Sequence, residues 1–284
     1  MFLSVILIII GFVLLIVGAD ILVEGSSGIA KKFHIPEIII GLTIVSIGTS
    51  MPELFVSITS ALDGYSDMAI GNIIGSNISN LLLILGLSAA IKPVVFQKET
   101  RLYEIPMCLL VTIILMIFCN TNGGISKIEA IALLILFCAF IGYTIYMGKR
   151  ESQKEMIEIK TEEKKNSIIK NIIFVLIGIC GLKIGGDLVV NNAVNVANHF
   201  NWSEKLISLT ILAIGTSLPE LVTSVTAAIK GNSDIAIGNI IGSNIFNILL
   251  IIGASALITP ITYNFSYNFD FSVLIVSSII LAIF

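Results

Sequence analysis

The stretch IGTSMPEL, residues 47–54, occurs a second time as IGTSLPEL at residues 214–221, and both copies lie inside longer apolar segments. The surrounding blocks 41–93 and 208–260 align without a gap at a constant offset of 167 residues, and 35 of their 53 positions are identical. Unrelated apolar segments would not keep proline, glutamate, asparagine and glycine in the same register. The sequence therefore predicts a chain built from two copies of one unit.

The amino-acid composition predicts a membrane protein. Of the 284 residues 56% are hydrophobic and only 12% are charged, and the mean hydropathy is +1.03. A soluble domain carries about 25% charged residues, so this chain could not cover a surface that faces water. Its four cysteines lie in apolar runs without zinc-ligand spacing, and we interpret them as small buried hydrophobic residues.

Nine apolar segments are long enough to cross a bilayer, which requires about 20 apolar residues. We place them near 2–29, 36–61, 66–92, 103–119, 126–146, 168–194, 204–229, 235–259 and from 269 to the end. If the segments alternate across the membrane, 13 of the 16 lysines and arginines fall on the side of the 147–170 loop and two on the other side. Since cytoplasmic loops are enriched in these residues, we predict a cytoplasmic 147–170 loop and an N-terminus outside.

The predicted topology turns the second copy upside down relative to the first. Each copy contains about five spans, and an odd number of spans reverses the direction of the next copy. Inverted repeats of this kind are typical of secondary transporters, which bind their substrate near the membrane midplane.

Each copy places a carboxylate inside an apolar span, as Glu53 and as Glu220. A charge at the middle of a membrane costs at least about 2.5–3.5 kcal/mol, so such residues usually serve a function. Thr49 and Ser50 precede Glu53 by four and three residues and therefore share its helical face. Pro52 lacks an N–H group, so the carbonyl four residues earlier loses its helical partner and becomes available to a cation.

A second pair of matched stretches, GNIIGSNISN and GNIIGSNIFN, supplies further oxygen atoms. Ser76 and Asn80 are four residues apart on one helical face, and Ser243 and Asn247 repeat this arrangement. For the other asparagines of these stretches, a contact to an ion and a hydrogen bond to a neighbouring helix are equally good interpretations. Carboxylate, hydroxyl and amide oxygens without thiolate or imidazole suit sodium, calcium or magnesium ions.

The two carboxylates just neutralise one divalent cation, and they could equally hold two monovalent cations or two protons. Competition for the same charges is the simplest physical basis of ion exchange. Away from these motifs, Lys183 precedes Asp187 by four residues and can pair with it, whereas the counterpart of the lysine in the first copy is Ile16. We predict a structural or access-path role for this pair.

At these motifs the chain resembles the cation/calcium exchanger superfamily, specifically prokaryotic members of its sodium/calcium exchanger branch. GTSMPE with GSNISN, and GTSLPE with GSNIFN, look like the two alpha-repeats of that family, and the resemblance covers essentially the whole chain. It implies an all-α membrane fold of ten helices in two inverted halves of five. The halves would be 1–147 and 168–284, joined by a cytoplasmic linker at 148–167, with the tenth helix missing here.

The resemblance also implies which residues bind ions and which ions they bind. Carried over by position, the ligands are Thr49, Ser50, Glu53, Ser76, Asn80, Thr216, Ser217, Glu220, Ser243 and Asn247. Many relatives have an aspartate at the position of Asn247, which is linked to potassium use, so the asparagine implies exchange without potassium. Proton/calcium exchangers usually have asparagine at the position of each threonine, so the threonines favour sodium. The implied function is exchange of calcium for sodium by alternating access across a bacterial or archaeal plasma membrane.

Two other functions are compatible with the residues alone. A proton/calcium antiporter of the same superfamily is an alternative because each copy has a protonatable glutamate. A passive cation channel is another, although inverted repeats with proline-interrupted helices argue against it. The sequence has no nucleotide-binding, nucleic-acid-binding or cofactor motif. We therefore expect no enzymatic activity and no cofactor, and calcium ions, sodium ions and the lipid bilayer as partners, with no indication of an oligomeric state.

Overall fold

A computed structural model describes residues 1–63, 66–121, 123–158, 167–202 and 213–283 of the chain. These residues form mainly helices. In chain order they are α1 (Phe2–Phe33), α2 (Glu37–Thr49), α3 (Met51–Leu62), α4 (Ser66–Ser79 continued by Asn80–Ile84 and Leu85–Ile91), α5 (Thr100–Thr121), α6 (Lys127–Glu158), α7 (Ile168–His199), α8 (Ala213–Gly215), α9 (Leu218–Lys230), α10 (Ser233–Ile258) and α11 (Asn268–Ile283).

Eight of the nine predicted spans have a helical counterpart within the described ranges. Seven helices are long and apolar enough to cross a membrane, and α2 with α3 forms an eighth crossing that bends by 47°. Residues 203–212 of the predicted span 204–229 lie outside the described residues, and α8 and α9 form the rest of that span. The helix α6 continues to Glu158, twelve residues beyond the predicted end of the fifth span, so part of the hydrophilic loop is a helical extension.

Glycines allow α1 and α7 to pack against each other at very short distance. A Cβ atom added to Gly11 would lie 2.8 Å from the carbonyl oxygen of Gly185, and one added to Gly178 would lie 2.8 Å from the carbonyl oxygen of Gly18. The repeat offset of 167 converts the first contact into the second. Such reciprocity is what a two-fold relation between two copies produces, and the order of the contacts makes the two helices antiparallel.

The helix α10 occupies the centre of the bundle. Of its 18-residue apolar stretch, 94% is buried. It approaches α2 closely, because a Cβ atom on Gly238 would lie 2.5 Å from the carbonyl oxygen of Ile38 and one on Gly242 would lie 2.8 Å from that of Leu42. On another side α10 contacts α6, where Gly253 faces Leu134. Small residues at such crossings are the usual means of close helix packing in membranes.

The repeat counterpart of α10 is α4, and it is much less enclosed. Only 44% of its 18-residue apolar stretch is buried, and Leu82, Leu83 and Leu87 remain exposed on its outer face. The two copies therefore have the same sequence pattern but different neighbours.

The two ends of the bundle are closed differently. At one end, the two-residue strands β1 (Gly124–Ile125) and β2 (Ile261–Thr262) pair in antiparallel orientation. We call this the β-bridge end. At the opposite end the start of α2 meets the start of α10, where the side chain of Asn232 donates a hydrogen bond of 3.0 Å to Glu37.

Candidate functional site

Both IGTS-PEL stretches break their helices at the same place. Ser50 has φ −84° and ψ 8°, and Ser217 has φ −86° and ψ 5°, so each serine leaves the helical conformation. Pro52 and Pro219 each follow as the second residue of the next helix. Proline is well suited to the first turn of a helix because its missing N–H group needs no partner there. The sequence thus interrupts the helix at the level of the glutamate in both copies.

Glu53 and Glu220 lie in the first turn after each break, and each has only 1% of its surface exposed. The hydroxyl of Ser50 donates a hydrogen bond of 2.8 Å to Oε1 of Glu220. The hydroxyl of Ser217 lies 3.5 Å from Oε1 of Glu53, which is a long and weak bond. Each serine therefore contacts the carboxylate of the other copy, and the two breaks form one site.

The helix α4 contributes to the same site through Ser76. Its hydroxyl lies 3.5 Å from Oε1 of Glu53 and accepts a hydrogen bond of 3.2 Å from Ser217. The counterpart in α10, Ser243, is completely buried, and its hydroxyl oxygen has no hydrogen-bond partner in the described part of the chain.

Four asparagines connect α4 with α10 through reciprocal hydrogen bonds. Nδ2 of Asn80 donates to Oδ1 of Asn244 at 2.9 Å, and Nδ2 of Asn247 donates to Oδ1 of Asn77 at 2.9 Å. Asn77 and Asn244 also donate to each other's backbone carbonyl oxygens, at 3.2 and 3.4 Å. These bonds hold the NH₂ groups of Asn80 and Asn247, so that each of these two residues keeps its Oδ1 atom available.

A π-helical turn begins at each of the two outer asparagines, at Asn80 in α4 and at Asn247 in α10. Turns of this kind are rare and occur frequently at functional sites. Because the same irregularity appears at equivalent positions of both copies, it belongs to the repeated unit.

Several oxygen atoms of the site have no hydrogen-bond partner among the described residues, although they are buried. They are Oε2 of Glu53 and Glu220, Oδ1 of Asn80 and Asn247, and the hydroxyl oxygens of Thr216 and Ser243. A buried polar atom without a partner costs about 1–3 kcal/mol, so six of them in one place require an explanation. All six can coordinate a hard cation.

The site also lacks a positively charged side chain within the described ranges. The ion pairs there join Lys170 to Glu24, Lys183 to Asp187 and Lys230 to Asp20, and none involves Glu53 or Glu220. A buried carboxylate without an opposite charge is strongly unfavourable. The two glutamates therefore need cations or protons to be neutralised inside the bundle.

The ten predicted ligands all belong to this region, and the two copies contribute to it unequally. Thr49 is fully buried and donates a hydrogen bond of 2.9 Å to Oδ1 of Asn239. Thr216, its counterpart, is only partly buried and its hydroxyl has no such partner. Together with the unequal serine–glutamate distances, this makes the first copy's half of the site more closed than the second copy's half.

The sequence analysis left the role of the remaining asparagines open, and the structure gives them hydrogen bonds to neighbouring helices. Asn239 donates to the hydroxyl of Ser224 at 2.9 Å, and its counterpart Asn72 donates to Ser57 at 3.3 Å. Asn77 and its counterpart position other asparagines, as described above. The spacing of three residues between Asn77 and Asn80 places both side chains on one helical face, but it does not indicate which residues they contact.

The predicted pair of Lys183 and Asp187 is present, with Nζ and Oδ2 separated by 2.6 Å. Both side chains are partly exposed, at 39% and 52%. The pair lies beside the helix breaks, because Nζ of Lys183 is 5.9 Å from the ring centre of Phe55 and the neighbouring Gly186 faces Pro219 of α9.

Comparison with known proteins gives consistent matches along almost the whole chain. The family model described as sodium/calcium exchanger protein matches residues 3–146 and 170–284. The inner membrane protein YrbG of Escherichia coli is 39% identical over 290 residues, covering 100% of this chain and 89% of the relative. The sodium/calcium exchanger MaX1 of Methanosarcina acetivorans is 32% identical, covering 98% of this chain and 90% of the relative.

A solved structure of the sodium-calcium exchanger NCX_Mj, soaked with sodium and strontium ions, has a fold similar to that of this chain. The TM-score is 0.88 at 33% sequence identity, with coverage of 100% of this chain and 90% of the other.

Proposed function

The chain belongs to the sodium/calcium exchanger protein family, and we propose that it is a secondary antiporter that exchanges calcium for sodium across the plasma membrane. Membership makes it a multi-pass membrane transporter rather than an enzyme. The identity of the two ions, the binding residues and the transport cycle are the parts that we add.

One observation carries the proposal: Glu53 and Glu220 are buried side by side in one network, and no ion pair within the described ranges involves either of them. One calcium ion neutralises both carboxylates, and so do two sodium ions. Calcium usually takes six to eight oxygen ligands, and the unpartnered oxygens of Asn80, Asn247 and Ser243 are available beside the carboxylates. Because both ions need the same oxygens, binding of one excludes the other.

The proposed ligands are the ten residues predicted from the sequence. Carboxylate oxygens come from Glu53 and Glu220. Amide oxygens come from Asn80 and Asn247, and hydroxyl oxygens from Thr49, Ser50, Ser76, Thr216, Ser217 and Ser243. With an asparagine at position 247, the site has only two carboxylates. We therefore expect no requirement for potassium.

We infer that the chain consists of two inverted halves, 1–147 and 168–284, joined by a cytoplasmic linker at 148–167. The reciprocal contacts of α1 with α7 and of α4 with α10 support this arrangement. The distribution of lysine and arginine supports an N-terminus on the outside. In that orientation the β-bridge end faces outward and the opposite end faces the cytoplasm.

Alternating access is supported by the difference between the two halves of the site. Thr49 and Ser50 make hydrogen bonds of 2.9 and 2.8 Å to groups of the second copy. The hydroxyl of Ser217 lies 3.5 Å from Glu53 and donates at 3.2 Å to Ser76, and the hydroxyl of Thr216 has no hydrogen-bond partner among the described residues. The looser half follows α8, which approaches the site from the outer side in the proposed orientation. We therefore assign the described conformation to the outward-facing part of the cycle.

Lys183 and Asp187 fit a path that leads to this looser half. A charged pair that is partly exposed beside the middle of the bundle is costly against lipid, whereas water in an access path can solvate it. The pair lies next to the break between α8 and α9, where such a path would enter.

The test is uptake of radiolabelled calcium into proteoliposomes that are loaded with sodium and diluted into sodium-free buffer. We expect uptake that requires internal sodium and that is abolished by Glu53→Gln or by Glu220→Gln. Glu24→Gln is the matched control, because Glu24 is an exposed carboxylate in an ion pair with Lys170. Uptake driven by a pH gradient instead would assign the protein to the proton-coupled exchangers. Uptake without any counter-ion, or single-channel currents, would contradict antiport.

A further inference from the structure

A second acidic site lies away from the helix breaks, at the end of the bundle opposite the β-bridge. There a cavity of about 440 Å³ is enclosed by the start of α2, α5 and α10 together with the end of α1 and a segment of α6. Five carboxylates and one ammonium group line it: Glu37, Glu99, Glu104, Glu151 and Asp234, with Lys31. Such an excess of negative charge in a concave site raises the local concentration of cations.

Two carboxylates of this cavity, Glu37 and Asp234, are held in place by neutral groups. Ser27 and Asn232 donate to Oε1 of Glu37, and Gln97 donates to Asp234. In the described part of the chain neither carboxylate forms an ion pair. Neutral donors fix the direction of a carboxylate but leave its charge uncompensated.

Glu104 is the residue that points to a bound ligand. Only 3% of it is exposed, so it is more than nine-tenths buried, and it lines the cavity. Oε1 accepts a hydrogen bond of 2.9 Å from the hydroxyl of Tyr143, whereas Oε2 has no partner among the described residues. A buried carboxylate oxygen without a donor is unfavourable unless a cation or a proton binds it.

This cavity is distinct from the site at the helix breaks. Asp234 and Asn247 lie on the same helix, thirteen residues apart, which corresponds to about 20 Å at a rise of 1.5 Å per residue. None of the residues that line the cavity is one of the ten proposed ligands at the helix breaks.

We propose that the cavity binds a divalent cation of the magnesium and calcium class, which keeps much of its hydration shell and takes Oε2 of Glu104 as a direct ligand. No group of three or more acidic, histidine or cysteine residues in the described ranges is close enough to enclose a bare metal ion. Water must therefore supply most of the ligands, as is usual for magnesium. The volume of the cavity accommodates such a hydrated ion. This inference does not depend on which ions the protein exchanges.

The test uses the full-length protein with Glu53→Gln and Glu220→Gln, which removes ion binding at the helix breaks. Terbium ions serve as the probe, because an excited tyrosine close to a bound terbium ion sensitises its luminescence. Tyr143 contacts Glu104 directly and is well placed for this. We expect a saturable terbium signal that magnesium and calcium displace. Glu104→Gln should weaken binding at least tenfold, whereas Glu24→Gln should leave it unchanged.

A second variant separates binding from detection and remains informative if Glu104→Gln does not fold. Tyr143→Phe removes the nearest sensitiser but keeps the carboxylate, so emission should fall by more than half. Directly measured terbium binding should then persist. Emission that is unchanged in Tyr143→Phe would place the ion elsewhere and overturn the proposal. Binding that is unchanged in Glu104→Gln, or no saturable signal in the starting protein, would overturn it as well.

Discussion

Replacing Asn77 by alanine should weaken calcium binding, although Asn77 is not one of the ten proposed ligands. Its Oδ1 atom accepts the hydrogen bond of 2.9 Å from Nδ2 of Asn247, and this bond leaves Oδ1 of Asn247 available to an ion. Without the acceptor, the NH₂ group of Asn247 is buried without a partner and the amide can rotate. A lost hydrogen bond of this kind costs about 1–3 kcal/mol, which corresponds to about 5- to 150-fold in the dissociation constant for calcium.

Asn244→Ala is the matched variant, because Asn244 holds Asn80 through the equivalent bond of 2.9 Å. Both variants should weaken calcium binding by similar factors. In the double variant, calcium binding should be weakened by less than the product of the two single factors. The reason is that Asn77 and Asn244 also bond to each other's backbone, so their effects are coupled.

The assay for this pair is equilibrium binding of radiolabelled calcium to the purified protein, with thermal unfolding measured in parallel. Asn72→Ala is the control, because it removes a hydrogen bond to Ser57 without touching a proposed ligand. It should lower stability but leave the dissociation constant within about twofold. If Asn77→Ala and Asn244→Ala bind calcium as tightly as the unmodified protein, these residues do not orient ligands.

Three further substitutions test the packing, the helix break and the access path. Gly238→Ala would bring a methyl group within 2.5 Å of a backbone carbonyl oxygen of α2, so it should lower the free energy of unfolding, measured by thermal unfolding, by about 1–3 kcal/mol. Gly142→Ala is the control, because a methyl group there meets no neighbouring atom and should leave the stability unchanged. Pro52→Ala restores an N–H donor to the carbonyl four residues earlier and should straighten the bend, so we expect slower calcium uptake at unchanged or higher stability. Lys183→Gln removes a positive charge beside the path, and the sodium concentration for half-maximal exchange should fall at low ionic strength but not in concentrated salt.

Much of the helical arrangement could be predicted from the sequence, because it follows from local properties. Apolar length identifies the spans, and the matched IGTS-PEL stretches identify the breaks at Ser50 and Ser217. The extent of α6 was predicted less well. Its residues beyond 146 are hydrophilic, so hydropathy ends the span there, while helix formation depends on backbone propensity and continues to Glu158.

The chemical types of the site residues could be predicted, whereas their partners could not. Spacing places Ser76 and Asn80 on one face, but it does not indicate that Ser76 meets Glu53 and Ser217 or that Asn80 bonds to Asn244. These partners are between 23 and 164 residues away in the chain, so they depend on how the helices pack, within the first copy for Glu53 and between the copies for Ser217 and Asn244. The acidic cavity was missed for the same reason, since its carboxylates come from four separate segments and form no motif.

The hydrogen bonds between the asparagines of α4 and α10 are nearly symmetric, whereas those at the helix breaks are not. The two asparagine bonds are both 2.9 Å, whereas the serine–glutamate distances are 2.8 and 3.5 Å. The polar residues at the breaks are the same in both copies, so an arrangement in which the copies exchange roles would have the same set of hydrogen bonds available. Two such arrangements would differ little in free energy, and a small difference in ion binding could then select between them. We therefore expect the asparagine contacts to persist through the transport cycle as a fixed centre, while the hydrogen bonds at Ser50 and Ser217 lengthen and shorten in turn.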